Sequence, residues 1–370
     1  MHVCLDIQSA LAQRAGVGRY TRMLAEHVAA ARGNDALSLF YFDFKRRGCD
    51  FQPPGATARA VRWLPGRWVQ AAWKFAGTPP FDWFAGHADV YHFPNFIRPP
   101  LSRGRSVVTI HDAAFLRFPE TIEAKNYRYL SRRIRGTVDR ADAVICVSAF
   151  TARELSALLQ VPHERLRVIP SGLDARMRPP DEAALQSLRQ RLGLDRPYLL
   201  AVGTLEPRKN YPFLMDVFDR LDFDGDLVIA GMRGWKTEGI FARREASPRR
   251  ERIRLLEYVD DRDLPALYGA AALFVMPSLY EGFGFPPLEA MVCGVPVVAA
   301  ATGSLPEVLG DAAHLVDGFD AEQWTSAITR MLADQDQRQL FTARGRSRAA
   351  SYTWERTAAL TWDVYRSLSA

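Results

Sequence analysis

Two acidic residues frame the run EGFGFPPLE at 281–289, shortly after the apolar stretch ALFVM. Gly282 and Gly284 let the backbone approach a ligand closely, and Pro286-Pro287 suit the start of a helix. This spacing predicts Glu289 in the first helical turn and Glu281 in the loop before it. Both carboxylates would then converge on a helix N-terminus, whose free amides attract phosphate. Carboxylates repel phosphate, so their own targets would be hydroxyl groups such as those of a ribose or hexose. The alternative is a pair of solvated acids around a tight turn.

A second constellation is GTLEPRKN at 203–210, directly after YLLAV. Asn210 is placed to cap a helix beginning near Pro212, which sets Arg208 and Lys209 beside its positive end. Two cations there make electrostatic sense if a diphosphate arrives, with Arg208 as a planar fork and Lys209 as a point charge. Otherwise they are a solvated surface pair. The run GVGRY at 16–20 is half of a dinucleotide fingerprint, with Thr21 where a third glycine would stand and Asp43 at a distance suited to a ribose contact. Residues 8–15 separate Gly16 from the first strand, whereas a nicotinamide site needs its glycines in the tight turn itself. The better reading is a flexible loop ending at a helix N-terminus, with the Gly16 and Gly18 amides offered to phosphate. His111 and Asp112 follow SVVTI at once. A strand-end histidine facing a cleft between two domains can bond a sugar hydroxyl or position a reacting group, although a lone histidine is more often structural. His92, after DVYHF, is the weaker candidate.

Positioning these loops requires strands that end just before them. Short apolar runs alternate with helical patterns along the whole chain, the signature of parallel α/β architecture. Strands are expected near 2–7, 37–42, 89–93, 106–110 and 143–147, and again near 198–203, 226–230, 253–256, 272–276 and 296–300, with clear helices at 17–31 and 123–139. The seam falls around 170–196, where VIPSGLD gives way to RMRPP and a polar helical stretch. Two doubly wound sheets facing each other would bind ligands beyond the carboxyl ends of their strands. With 370 residues, 48% of them apolar, and no apolar run long enough to span a bilayer, the chain reads as a two-domain soluble protein. MHVCLDIQSA lacks the features of a secretory leader, so a cytoplasmic location is expected. Cys4, Cys49, Cys146 and Cys293 are scattered and read as buried thiols in a reducing compartment.

Charge is unevenly spread. Residues 1–175 carry 24 lysines and arginines against 15 acids, while the remainder is slightly acidic. An anionic partner for the first half is therefore expected. In 123–139, Lys125, Arg128, Arg132 and Arg135 recur along one helical face. In 61–76, Arg62, Arg67 and Lys74 interleave with Trp63, Trp68, Trp73 and Phe75, a mixture that suits an anionic membrane surface if exposed and a domain core if buried. Nucleic acid fits less well, because the aromatics cluster with apolar residues. The Asp-x-Asp of LDFDGD (221–226) precedes a strand and reads as a turn, so no metal is expected.

Taken together, AGVGRY, TIHDAAFLRFPE, VSAFTARE, VIPSGLD, VGTLEPRKN, PSLYEGFGFPPLEAM and TGSLPEV resemble the retaining glycosyltransferases of family 4, over essentially the whole chain. The resemblance implies the GT-B fold, with an N-terminal acceptor domain at 1–175, a nucleotide-sugar domain at 176–351 and a terminal helix at 352–370 that crosses back onto the first. It implies a donor site of Gly16, Gly18, Gly203, Arg208, Lys209, Phe283, Gly284 and Glu289. Within that site Glu289 would hold the ribose and Arg208 and Lys209 the diphosphate. It further implies that Glu281 faces the transferred sugar with His111 beside it, making Glu281, His111, Arg208 and Lys209 the catalytic set. Transfer with retention and no cofactor or metal is implied. The wording of TLEPRKN and HDAAFLRFPE is similar to bacterial mannosyl- and rhamnosyltransferases of surface polysaccharide assembly, favouring GDP-mannose over a UDP- or dTDP-sugar. The implied acceptor is a saccharide or a lipid-linked one. A GT-B epimerase and a non-catalytic polysaccharide-assembly module remain the alternatives.

Overall fold

The computed structural model describes residues 1–12 and 16–369 and resolves the chain into two compact units. The first comprises Met1–Leu116, Asn126–Gly172 and the chain from Thr353 onward; the second comprises Arg117–Lys125 and Leu173–Tyr352. The stretch Arg117–Lys125 thus belongs to the second unit, although the chain on both sides of it belongs to the first.

The first unit is built on a seven-stranded sheet of β1 (His2–Asp6), β2 (Ala36–Phe42), β3 (Ala56–Val61), β4 (Val90–Phe93), β5 (Arg105–Ile110), β6 (Ala143–Cys146) and β7 (Leu166–Val168). All neighbours are parallel, in the order β3-β2-β1-β4-β5-β6-β7. The second unit holds β8 (Tyr198–Val202), β9 (Asp226–Ala230), β10 (Ile253–Leu256), β11 (Leu273–Met276), β12 (Val297–Ala300) and β13 (His314–Val316), parallel in the order β10-β9-β8-β11-β12-β13. These are the two Rossmann-like sheets expected of a GT-B protein. Central strands such as DLVIA and VVAA are buried along their whole length. That is why they read as continuous apolar runs rather than alternating ones. The expected strands all occur. The sequence reading missed β3, β7 and β13, each at the edge of its sheet: ATARAV offers one large apolar residue, Val61, and LRV and HLV are only three residues long. An edge strand has one neighbour and needs less apolar surface, so its pattern is faint.

The helix Trp354–Ser369 belongs to the first unit and lies along the helix Val17–Ala30, where the Trp362 indole N–H donates to the Val28 carbonyl at 2.9 Å. Tyr365 from the same helix meets His92, whose ring bridges the Tyr365 hydroxyl at 2.6 Å and that of Thr109 at 2.8 Å. His92 is fully buried in this network, and burial depresses its pKa to about 3. It is a structural residue.

Three local expectations need correction. Residues Gln8–Ala12 form a short helix rather than part of a loop, and the remaining positions before Gly16, including Ala15, lie outside the described residues. Asn210 stands at the N-terminus of the helix Tyr211–Arg220 but in the left-handed conformation, φ 56°, and its side chain makes no cap bond. It closes the preceding 3-10 turn Pro207–Lys209 instead. Cys49 is only half-buried, unlike Cys4, Cys146 and Cys293.

Candidate active site

The donor-side residues cluster because β8 and β11 are neighbours in the second sheet, which brings the loops after them side by side. The Leu279 amide donates to the Arg208 carbonyl at 2.9 Å and ties one loop to the other. Lys209 Nζ donates to Glu281 Oε1 at 2.7 Å, and Arg208 Nη1 stands 3.1 Å from Glu281 Oε2. The same Arg208 nitrogen donates to the Tyr280 carbonyl at 2.6 Å, and its Nη2 donates to Glu206 Oε1 at 2.5 Å. Glu206, Lys209 and Glu281 are all buried. The cations are therefore not a solvated pair: two acids and two bases form one compact, formally neutral group. Burial alone would raise the Glu281 pKa, but Arg208 and Lys209 outweigh it and hold the carboxyl at about 2. Glu281 is an anion throughout the physiological range.

The Glu281 loop is clamped from behind by the TGSLPEV segment. The Ser304 amide donates to the Glu281 carbonyl at 3.0 Å, and the Ser304 hydroxyl to the Phe283 carbonyl at 2.9 Å. Gly303, at φ +59°, lies so close that a Cβ would sit 2.5 Å from the Glu281 carbonyl oxygen. Gly284, at φ +102°, turns the chain into the helix Phe285–Val292, which carries proline in its first turn as expected. An L side chain at either position is strained.

Glu289 departs from expectation. It lies in the second turn of that helix, not the first, is buried, and accepts a hydrogen bond from the Tyr268 hydroxyl at 2.8 Å. Glu289 thus faces Tyr268, while Glu281 faces Arg208 and Lys209. Gly203, at the end of β8, accepts from the Tyr211 hydroxyl at 2.9 Å. Phe283 is buried against Phe285 and Tyr352, with ring centroids 5.0 and 5.5 Å away. These contacts pack the loop.

In the first unit, Gly16 stands at the N-terminus of the helix Val17–Ala30 and Gly18 is buried in its first turn. His111 follows β5, and its Nε2–H donates to the Pro94 carbonyl at 2.8 Å. In the neutral ring this leaves Nδ1 as the acceptor. Burial lowers the His111 pKa, against the smaller raising effects of that bond and of Asp112. Tyr20, from GVGRY, sets its ring edge-on to His111 at 4.6 Å. Asp43 is used locally: it accepts from the Arg47 amide at 2.7 Å and pairs with Arg62 at 3.3 Å. Asp224 of LDFDGD pairs with Arg196 and Arg252 at 3.0 and 2.6 Å.

Sequence reasoning missed Glu206 and Tyr268. Glu206 lies inside the quoted GTLEPRKN, and an acid two positions before a cation was the available signal. Tyr268 carried none, since its partner is 21 positions away.

Residues 186–348 match the family model of glycosyl transferases group 1, and residues 14–176 match that of Glycosyltransferase Family 4. The chain is 33% identical to O-antigen chain mannosyltransferase B of Escherichia coli, over 95% of this chain and 96% of that protein. It belongs to the family 4, group 1 glycosyltransferases. As a group 1 glycosyltransferase it is a hexosyl-transferring enzyme. Its fold is shared with the sucrose-phosphate synthase of Thermosynechococcus elongatus, at TM-score 0.77 and 22% identity, covering 100% of this chain and 99% of that one. It is shared also with WaaG, a glycosyltransferase involved in lipopolysaccharide biosynthesis, at TM-score 0.73 and 18% identity, covering 98% of this chain and 99% of that one.

Proposed function

We propose that this glycosyltransferase moves mannose from GDP-mannose to a saccharide or lipid-linked acceptor during assembly of a bacterial surface polysaccharide. Transfer retains the anomeric configuration and uses no metal. The observation that carries the donor side is the buried group of Glu206, Arg208, Lys209 and Glu281 at the carboxyl ends of β8 and β11. The choice of mannose and of a polysaccharide product is supported by likeness to the O-antigen mannosyltransferase.

In this reading Arg208 and Lys209 receive the diphosphate and stabilise the charge that grows on it as the bond to the anomeric carbon breaks, typically the largest electrostatic contribution. Glu281, kept ionised by the same cations, faces the sugar and opposes positive charge developing at the anomeric carbon. Glu289, steadied by Tyr268, accepts from the ribose hydroxyls. The Gly16 and Gly18 amides lie toward phosphate, and neutral His111 offers Nδ1 to a sugar hydroxyl. The acceptor oxygen bonds the anomeric carbon on the face the phosphate leaves, and its proton passes to the departing phosphate. The first unit serves the acceptor, which a lipid carrier presents at the inner face of an anionic membrane. Among the described residues no helix is long and apolar enough to cross a membrane.

A thermal-shift screen of nucleotide sugars tests this reading. GDP-mannose at 100 times its Kd should add about 2.7 kcal/mol of stability. Stabilisation by UDP- or dTDP-sugars alone would replace the donor. Free sugar product formed without any acceptor would indicate an epimerase, and no turnover with any pair a binding module.

A further inference from the structure

We infer that the first unit carries a defined docking face for an anionic bilayer, formed where the chain follows β2 and β3 and by the helix Gly66–Phe75. The inference rests on the membrane-borne acceptor proposed above and specifies which surface meets the lipid.

The four most exposed large apolar side chains of the described residues are Phe75 (83%), Trp63 (70%), Trp83 (70%) and Trp68 (60%), and together with Phe44 (51%) they fall between positions 44 and 83. Scattered single apolar residues on a surface are ordinary, but concentration of the exposed tryptophans in one tenth of a chain is not. The helix Gly66–Phe75 shows why they are outside. Val69 and Trp73 form its buried side, with the Trp73 indole donating to the Pro79 carbonyl at 2.6 Å. Trp68, Ala71 and Phe75 recur at i, i+3 and i+7 on the opposite side, with Arg67 and Lys74 as a parallel cationic row. The helix thus has two apolar stripes, and the core uses only one.

Trp63 is tied to the buried side of this helix through Phe84. Trp63 lies 5.9 Å from the Phe84 ring, which in turn lies 6.4 Å from buried Trp73, and Trp83 adjoins Phe84 in sequence. Phe44 is brought alongside because the Asp43 amide donates to the Val61 carbonyl at 2.8 Å while its carboxylate holds Arg62.

Cations predominate in the segments that carry these rings. Lys45, Arg46, Arg47, Arg67 and Lys74 are all exposed. The acids between positions 44 and 84 are Asp50, paired with Arg22 at 2.9 Å, and Asp82, buried and bonded to Ser102. Aromatic rings that seat at the headgroup level, rimmed by cations that attract anionic lipid, match a bilayer interface. Placement agrees with use. All strands of the first sheet are parallel, so the segments after β2 and β3 emerge at the same carboxyl end as His111 after β5. Docking here would present that end of the sheet to a lipid-linked acceptor.

The test is sedimentation of the full chain with vesicles of phosphatidylcholine alone or of equal parts phosphatidylglycerol and phosphatidylcholine, across a salt series and with no donor or acceptor present. Binding to the anionic vesicles, weakened by salt, is expected. Arg67→Glu with Lys74→Glu should lower the partition about fivefold or more per cation. Trp68→Ser with Phe75→Ser should lower it about tenfold. Arg189→Glu with Arg356→Glu changes net charge equally on exposed positions elsewhere and should leave binding intact. Unchanged melting temperatures establish that the variants are folded. Equal partition onto neutral and anionic vesicles, or undiminished binding by either docking-face variant, overturns the inference. Because no nucleotide sugar enters the assay, its outcome is separate from the proposed transfer. Transfer to a water-soluble acceptor should be unaffected by the docking-face variants, and failure of that transfer with vesicle binding intact would count against the donor-site reading alone.

Discussion

Glu206 and Arg208 lie two positions apart and face each other at 2.5 Å, with the carboxylate buried and the guanidinium nearly so. Arg208 is shared further with Glu281 and with the Tyr280 carbonyl. Its fork is thus aimed before any ligand arrives, and Glu206 is what aims it from one side.

Removing that partner leaves a buried cation undercompensated. Glu206→Ala should cost about 3 kcal/mol of folding stability, whereas Glu206→Gln, which keeps an acceptor in place, should cost less. Urea unfolding of both variants checks this, and equal or negligible losses would remove Glu206 from the account.

On the binding side, Arg208→Ala and Glu289→Ala should each weaken nucleotide-sugar affinity by about 1.5–3 kcal/mol, the worth of a charged hydrogen bond. Tyr268→Phe, which frees the Glu289 carboxylate from its 2.8 Å bond, should weaken it by about 1 kcal/mol. Titration calorimetry with the donor decides; unchanged affinity in all three would relocate the site.

The pH dependence of stability should come in two stages. His92 and His111 have folded pKa values below the ordinary 6.5, so below that pH the unfolded chain takes up protons that the native state refuses, and stability falls. Glu281 is lowered from 4.5 to about 2, so its contribution is complete above pH 4.5 and is lost as pH drops toward 2. Denaturation at a series of pH values should show loss beginning near 6.5, tempered between about 6 and 3.8 by Asp6, whose burial raises its pKa to about 6, and steepening toward pH 2. Glu281→Gln should shrink the second stage, leaving the share of Asp260, which Arg262 also holds at about 2.

For the chemistry, transfer should survive exhaustive EDTA treatment, and proton NMR of the product should show the donor's anomeric configuration. Activity abolished by EDTA and restored by Mg²⁺ or Mn²⁺ would replace the Arg208–Lys209 clamp as sole charge stabiliser. An inverted product would require a general base that the present assignment omits.

What the sequence determined by itself was the architecture and the catalogue of loops. Doubly covered parallel strands must be continuously apolar, and strand-to-helix turns must carry glycine, proline and small polar residues, so both are written locally. The family resemblance rested on those same local words. Pairing was a different matter. Lys209 and Glu281 are 72 positions apart and meet only because β11 takes the place beside β8. Tyr268 reaches Glu289 because the helix Leu264–Gly269 packs against the helix Phe285–Val292. The tryptophans of 61–76 show the same division within a single helix. Interleaved cations and aromatics have one sequence pattern whether buried or exposed. Only the neighbouring elements, which needed Val69 and Trp73 and left Trp68 and Phe75 outside, settled which rings face solvent. Periodicity records what each segment offers, while tertiary packing decides which offers are taken up.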